Sequence, residues 1–338
     1  MGLRGGIVRP GLQIITLALL AVCADFLLSN GAVPGGAGAS SPLQLSPLSA
    51  PAAASAANGY TRTMVASFRY GSGAADVGLR TGTEQRPVGP VSLAVDANGR
   101  LYVADAVNSR VQVLAADGKR AASIPVIGRL HDLAVDDSGT LLCLSTDGAI
   151  TSYDTATGRQ KERWSLSAGL TRTLGQLRAE NGSASLESPD QRSHPVYSAA
   201  GPVGTKAQDT GGAKGAKAPS GAYYSTSYRD QGHLYRLDAQ GKVVLDVALK
   251  LPDVASVNYL GEDRSGAAYV VVERFGANKQ VSVEVRKFDG GGALMATIPV
   301  PPVTYVEMTR SLVVTDSGDI YELLPEPTGA SILRWRKP

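Results

Sequence analysis

The chain has 338 residues, of which 43% are hydrophobic, 19% charged and only 6% aromatic, with 39 glycines. So low a charged fraction beside so much glycine fits a turn-rich all-β protein better than a helical one. The formal net charge is +3, with Arg4 and Arg9 close to the N-terminus, which gives no basis for nucleic-acid binding, since that needs a dense basic patch.

Residues 1–28 read as an export leader. Arg4 and Arg9 form its basic start, residues 11–24 are apolar, and Val22-Cys23-Ala24 offers a small-residue cleavage site before Asp25. Two alternatives stand beside cleavage. The apolar run resumes at Phe26-Leu27-Leu28, so residues 7–28 also read as a short membrane tether. Residues 20–23 resemble a bacterial lipoprotein box, with Val22 where Gly or Ala is usual. All three readings predict an extracytoplasmic location, secreted or anchored at the cell surface. Residues 29–59 follow, uncharged and built largely of Ala, Gly, Ser and Pro. That composition buries no core and predicts a disordered linker.

The remainder, 60–338, is expected to be one folded unit. It opens on TRTMVASFRY (61–70), a strand pattern in which Met64, Ala66 and Phe68 share a face and no hairpin partner lies nearby. Next comes the best-marked stretch, Pro87 to Lys119. Its apolar runs LAVD, LYVAD and VQVLA are separated by turn chemistry, including Asn98-Gly99 and Asp117-Gly118. LAVD at 93–96 returns at 133–136, and Gly99 returns as Gly139, both 40 residues on. A period near 40 with several short strands per unit predicts a β-propeller.

The residues PVGPVSLAVDANGRLYVADAVNSRVQVL resemble a repeat of the NHL family. The resemblance implies that Asp105, Asn108 and Arg110 are structural, tying the second strand of the blade to the third. It is partial in the following unit, where Ser145-Thr-Asp-Gly148 replaces the longer turn.

Downstream the blades become uneven. The first covers about 88–127 and the second 128–169. Residues 177–186 repeat the inner-strand, turn, second-strand pattern. The Gly/Ala/Lys-rich stretch 187–221 reads as a flexible insertion that includes Lys206, Lys214 and Lys217. Strands resume at 233–237 and 243–247, and 253–300 reads as a fuller blade. The segments 311–318, 319–324 and 331–335 make only three strands, so 62–69 is expected to supply the missing outer strand and close the ring. Six blades are expected, with five as the alternative if 187–221 is an insertion within one blade.

Motifs for catalysis are absent: no HExxH, Walker loop, GxSxG or EF-hand loop occurs. The turns at Asp105–Arg110 and Asp136–Gly139 are acidic but lack a full calcium ligand set, and read as turn caps. His131 stands at the start of an inner strand, near the expected channel. Asp132, Asn258 and Glu307 occupy similar places, and together the four are the candidate channel-binding residues. His194 falls in the insertion and His233 at a strand start. Tyr223, Tyr224 and Tyr228 are candidate contact aromatics. Cys143 is expected to be a buried hydrophobe, and Asn181-Gly-Ser183 matches a glycosylation acceptor. These features predict a monomeric module that binds a protein or glycan on one loop face, with no nucleic acid and no cofactor. The alternative is a lactonase-like hydrolase or lyase with a divalent metal in the central channel.

Overall fold

In a computed structural model the described residues are 59–180, 182–198, 200–203, 212–276 and 280–338. The leader, the linker to residue 58, Asn181 and Lys206 lie outside them.

The chain begins with β1 (Thr61–Phe68) and a short hairpin, β2 (Arg80–Gly82) and β3 (Gln85–Val88). Blade 1 is β4 (Leu93–Val95), β5 (Leu101–Asp105), β6 (Arg110–Leu114) and β7 (Arg120–Pro125). Blade 2 is β8 (Leu130–Val135), β9 (Thr140–Ser145), β10 (Ala149–Asp154) and β11 (Gln160–Ser165). Blade 3 is β12 (Gln176–Glu180), β13 (Ser183–Glu187), β14 (Arg192–Ser198) and β15 (Gly201–Pro202), with β16 (Ala213–Lys214) also paired to β14. Blade 4 is β17 (Ala216–Lys217), β18 (Tyr223–Ser227), β19 (His233–Leu237) and β20 (Val243–Ala248). Blade 5 is β21 (Val254–Glu262), β22 (Ala268–Phe275), β23 (Val281–Phe288) and β24 (Leu294–Val300). Blade 6 is β25 (Leu312–Val314), β26 (Ile320–Glu326) and β27 (Gly329–Arg336), completed by β1.

The protein is therefore a six-bladed β-propeller, and the expected closure is present: β1 pairs antiparallel with β27 from Thr61↔Arg336 to Phe68↔Ala330. The inner strands of blades 5, 6, 1, 2 and 3 neighbour one another in ring order (β21, β25, β4, β8, β12), and blade 4 joins the ring through contacts of β14 with β17 and of β18 with β21. The hairpin glycines do what the sequence demanded of them. Gly99 and Gly139 sit at φ 77° and 79°, where a Cβ would be strained.

The stretch 187–221 needs correction. It is not simply an insertion, because β14, β15, β16 and β17 lie in it and serve as blade strands. Three of these four are only two residues long, too short to show an alternating pattern.

Apolar clusters fill five of the junctions between adjacent blades. Between blades 1 and 2, Tyr102, Val111 and Ile124 pack on Leu133, Leu141 and Cys143. The junction of blades 3 and 4 is made differently. There Gln191 donates from Nε2 to the Thr226 carbonyl (3.0 Å), and its Oε1 accepts from Ser225 Oγ (2.8 Å) and Thr226 N (2.7 Å). One glutamine thus uses several of its hydrogen-bonding positions to join two irregular blades.

Candidate functional site

The NHL-like residues of blade 1 form a closed polar clamp. Asp105 is fully buried, and its Oδ2 accepts from Arg110 Nε (2.9 Å) and Asn108 Nδ2 (2.8 Å). Its Oδ1 accepts from the Gly78 amide at 2.8 Å. Arg110 Nη2 also donates to the carbonyls of Gly73 and Asp76, and Asn108 Nδ2 to that of Gly71. The clamp therefore ties β5 to β6, as the resemblance implied. It also fastens the 71–78 segment that leads from the closing strand into blade 1. Asp136 likewise caps its own turn, accepting from Ser138 Oγ and Thr140 N at 2.7 Å each.

At the starts of the inner strands, Asp132 is a fully buried hub. Its Oδ1 accepts from Ser92 Oγ (2.5 Å), the residue 40 positions earlier in the repeat. Its Oδ2 accepts from the Leu177 amide (2.7 Å) and Arg310 Nη2 (2.8 Å), and Arg310 Nη2 also donates to the Leu177 carbonyl. Blades 1, 2, 3 and 6 thus meet on one carboxylate. His131 is half-buried, with Nε2 3.2 Å from the Gly175 carbonyl. Asn258 is exposed and donates to Ser256 Oγ (3.2 Å), and Glu307 is exposed in the segment before β25. Of the four candidates, only His131 and Asp132 are neighbours. Among the described residues no three His, Cys, Asp or Glu side chains are grouped to hold a metal ion.

Beyond this hub the channel widens into a cavity of about 680 Å³, to which the inner strands of all six blades contribute. Blades 1 and 2 present the small side chains Ala94 and Ala134. Blade 3 presents Gln176, Arg178 and Glu180, every second residue of β12. Arg178 crosses toward blade 5. It pairs with Glu187 (2.6 Å), donates to the Leu260 and Tyr259 carbonyls (3.0 and 2.9 Å), and lies 5.1 Å over the Tyr259 ring. Tyr259 stacks on Tyr224 at 4.7 Å, and the Tyr224 hydroxyl donates to Glu262 (3.0 Å). Of the three candidate tyrosines, Tyr224 is thus buried, whereas Tyr228 is exposed. Burial pushes the Glu180 carboxyl up to about 7, with Arg178 and Lys217 pulling it back down and Glu262 and Asp137 adding to the rise.

Blade 6 supplies the basic wall. Arg336 binds Asp319 through Nε (2.8 Å) and Nη2 (2.5 Å), and Arg264 of blade 5 reaches Asp316 (3.2 Å). Arg310 and Arg334 also line the cavity, and the Nε of each is buried without a hydrogen-bond partner. Burial pulls the Arg310 guanidinium below its ordinary value, with nearby Arg178 acting in the same direction and Asp132 against it.

The remaining candidates have structural places. His194 is buried on β14, with Nε2 3.1 Å from Ser188 Oγ, and burial lowers its pKa. His233 Nδ1 meets Asp246 at 2.7 Å. Cys143 is buried, and that burial pushes its thiol far up. Sequence reasoning missed Arg178, Glu180, Arg310 and Arg334. A signal for the first two was present, because the Gln-Arg-Glu face of β12 replaces the small alanines of the blade 1 and 2 inner strands.

The model of the NHL repeat matches residues 88–114. No curated protein matches the chain in sequence. Among solved structures, a streptogramin B lyase is similar at a TM-score of 0.50 and 12% identity, covering 84% of this chain and 100% of its own. A protein of unknown function from Bacteroides caccae is similar at a TM-score of 0.43 and 13% identity, covering 66% of this chain and 93% of its own. At 12% identity the likeness to the lyase is one of fold alone.

Proposed function

We propose that this six-bladed propeller with its NHL repeat is an extracytoplasmic binding or scaffold module that holds a protein or glycan partner at the channel mouth. The observation that carries the reading is the cavity itself. It is about 680 Å³, opens where the inner strands of all six blades end, and is rich in charged side chains. A concave site with convergent polar groups on a rigid scaffold is the usual form of a binding site. The extracytoplasmic part of the reading rests on the leader-like residues 1–28.

Two exposed turn residues at the rim, Ala97 and Ser317, allow the mouth to be filled without touching the core. The full chain, as wild type and as Ala97→Trp and Ser317→Trp, is used to retain partners from envelope fractions. The expected result is a partner held by the wild type and reduced at least about tenfold by either tryptophan, as loss of about 1.4 kcal/mol requires. Retention unchanged by both variants overturns the reading.

A second reading, a hydrolase or lyase acting in the channel, is favoured by Glu180. A carboxyl held near neutral pH beside Lys217 suits general acid–base work. Metal analysis of the purified chain and a screen for turnover of small lactones separate the two. Turnover abolished by Glu180→Gln supports the enzyme, and its absence in the wild type removes it.

A further inference from the structure

Among the described residues, six buried side-chain nitrogen or oxygen atoms have no hydrogen-bond partner. Three of the six belong to residues that line the one channel cavity: Arg310 Nε, Arg334 Nε and the Tyr259 hydroxyl. All three are N–H or O–H groups that can donate. Buried donors are rarely left unmade, and such a group calls for an explanation. The three residues border the same space, while the orphan atoms themselves lie beneath its surface and the Tyr259 ring packs in the core between blades 4 and 5.

The charges sharpen this. The blade 6 carboxylates that line the cavity are already taken, Asp319 by Arg336 and Asp316 by Arg264, and Arg310 is engaged with Asp132 of blade 2. Arg334 makes no ion pair with a carboxylate among the described residues, although its side chain faces the cavity from β27. Arg310 spends Nη2 on Asp132 and Leu177, leaving its Nε unspent. The wall therefore carries more guanidinium donors than the protein itself uses. Planar guanidinium groups match the oxygens of carboxylates and phosphates.

We infer that the ligand of the channel carries oxyanion groups, carboxylate or phosphate, which dock on the blade 6 wall at Arg334 and Arg310. This rests on the channel mouth being the binding site and names the chemistry of what enters it. Glu180 and Arg178 stand on blade 3, across the six-membered ring from blade 6, so the unpaired Arg334 is what distinguishes the blade 6 wall.

The test is calorimetric titration of the full chain with succinate, with inorganic phosphate, and with uncharged succinamide. Saturable binding of succinate, of phosphate or of both is expected, and none of succinamide. Which anion binds decides between carboxylate and phosphate. Removing one charge-assisted bond through Arg334→Gln is expected to weaken binding about tenfold to a hundredfold. Arg334→Lys, which keeps the charge, recovers part of the loss. Arg310→Lys weakens binding as well. Arg229→Gln, an exposed change away from the cavity, leaves binding as in the wild type. Equal affinity in wild type and Arg334→Gln, binding of succinamide as tight as succinate, or no binding of either anion overturns the inference. Partner retention by the tryptophan variants is read separately, so a channel that binds a partner without oxyanions remains distinguishable from a channel that binds nothing.

Discussion

Blade 1 and blade 6 both set arginines against buried carboxylates, yet they spend their donors differently. In blade 1, Arg110, Asn108 and the Gly78 amide all donate to Asp105, and Arg110 reaches two backbone carbonyls besides. In blade 6, Arg334 and Arg310 each keep a buried Nε without a partner, and both face the cavity. The first cluster is complete within the protein, and its role is to hold the segment after the closing strand. The second leaves donors that no group of the protein takes up. A repeat signature and a binding site can thus use the same residue types, and donor satisfaction tells them apart.

The largest expected effect is on the completed cluster. Asp105→Ala leaves Arg110 without its carboxylate in a site where Asp105 itself is wholly buried. Breaking a buried pair in this way costs about 3–5 kcal/mol, read as a drop in the urea midpoint at unchanged slope. A cost under about 1 kcal/mol would mean that the clamp is not holding the 71–78 segment.

Glu322 on β26 sharpens the comparison from another side. It is 1% exposed, its Oε2 has no partner, and it does not line the cavity. Burial pushes its carboxyl up to about 8, with Arg62 pulling it back down. An unfolded glutamate titrates near 4.3, so between that pH and about 8 the native state binds a proton that the unfolded state does not. Stability therefore falls as pH rises through this window. Glu322→Gln is expected to match the wild type near pH 4 and to be more stable at pH 9 by several kcal/mol, up to about 5. Glu180 keeps its own contribution in both proteins. Denaturation across pH 4–9 checks the pair of curves, and parallel curves would contradict the assignment.

How much of this was legible in sequence follows from how locally each feature is encoded. LAVD at 93 and 133 and the paired turn glycines are local, and they marked the propeller. The closing strand was legible because residues 61–70 alternate without a neighbour to pair with. Blade 3 was obscured because β14 carries Pro195 in its middle and β15, β16 and β17 are two residues each. The site was harder. His131 stood out by residue type, but it lies against a backbone carbonyl. Asp132, chosen beside it, is a hub whose partners Leu177 and Arg310 lie 45 and 178 residues away. Nothing local marks such a pairing. The alternation of Gln176, Arg178 and Glu180 was legible, but it gains meaning only once six inner strands surround one space.

The smallest expected stability effect belongs to the incomplete cluster, and it tests the central claim most directly. Urea unfolding of Arg334→Gln should lie within about 0.5 kcal/mol of the wild type, as expected where no protein partner is lost, while succinate and phosphate binding falls at least about tenfold. A variant destabilised as severely as Asp105→Ala, with oxyanion binding intact, would show that the blade 6 wall is another structural clamp and contradict the account.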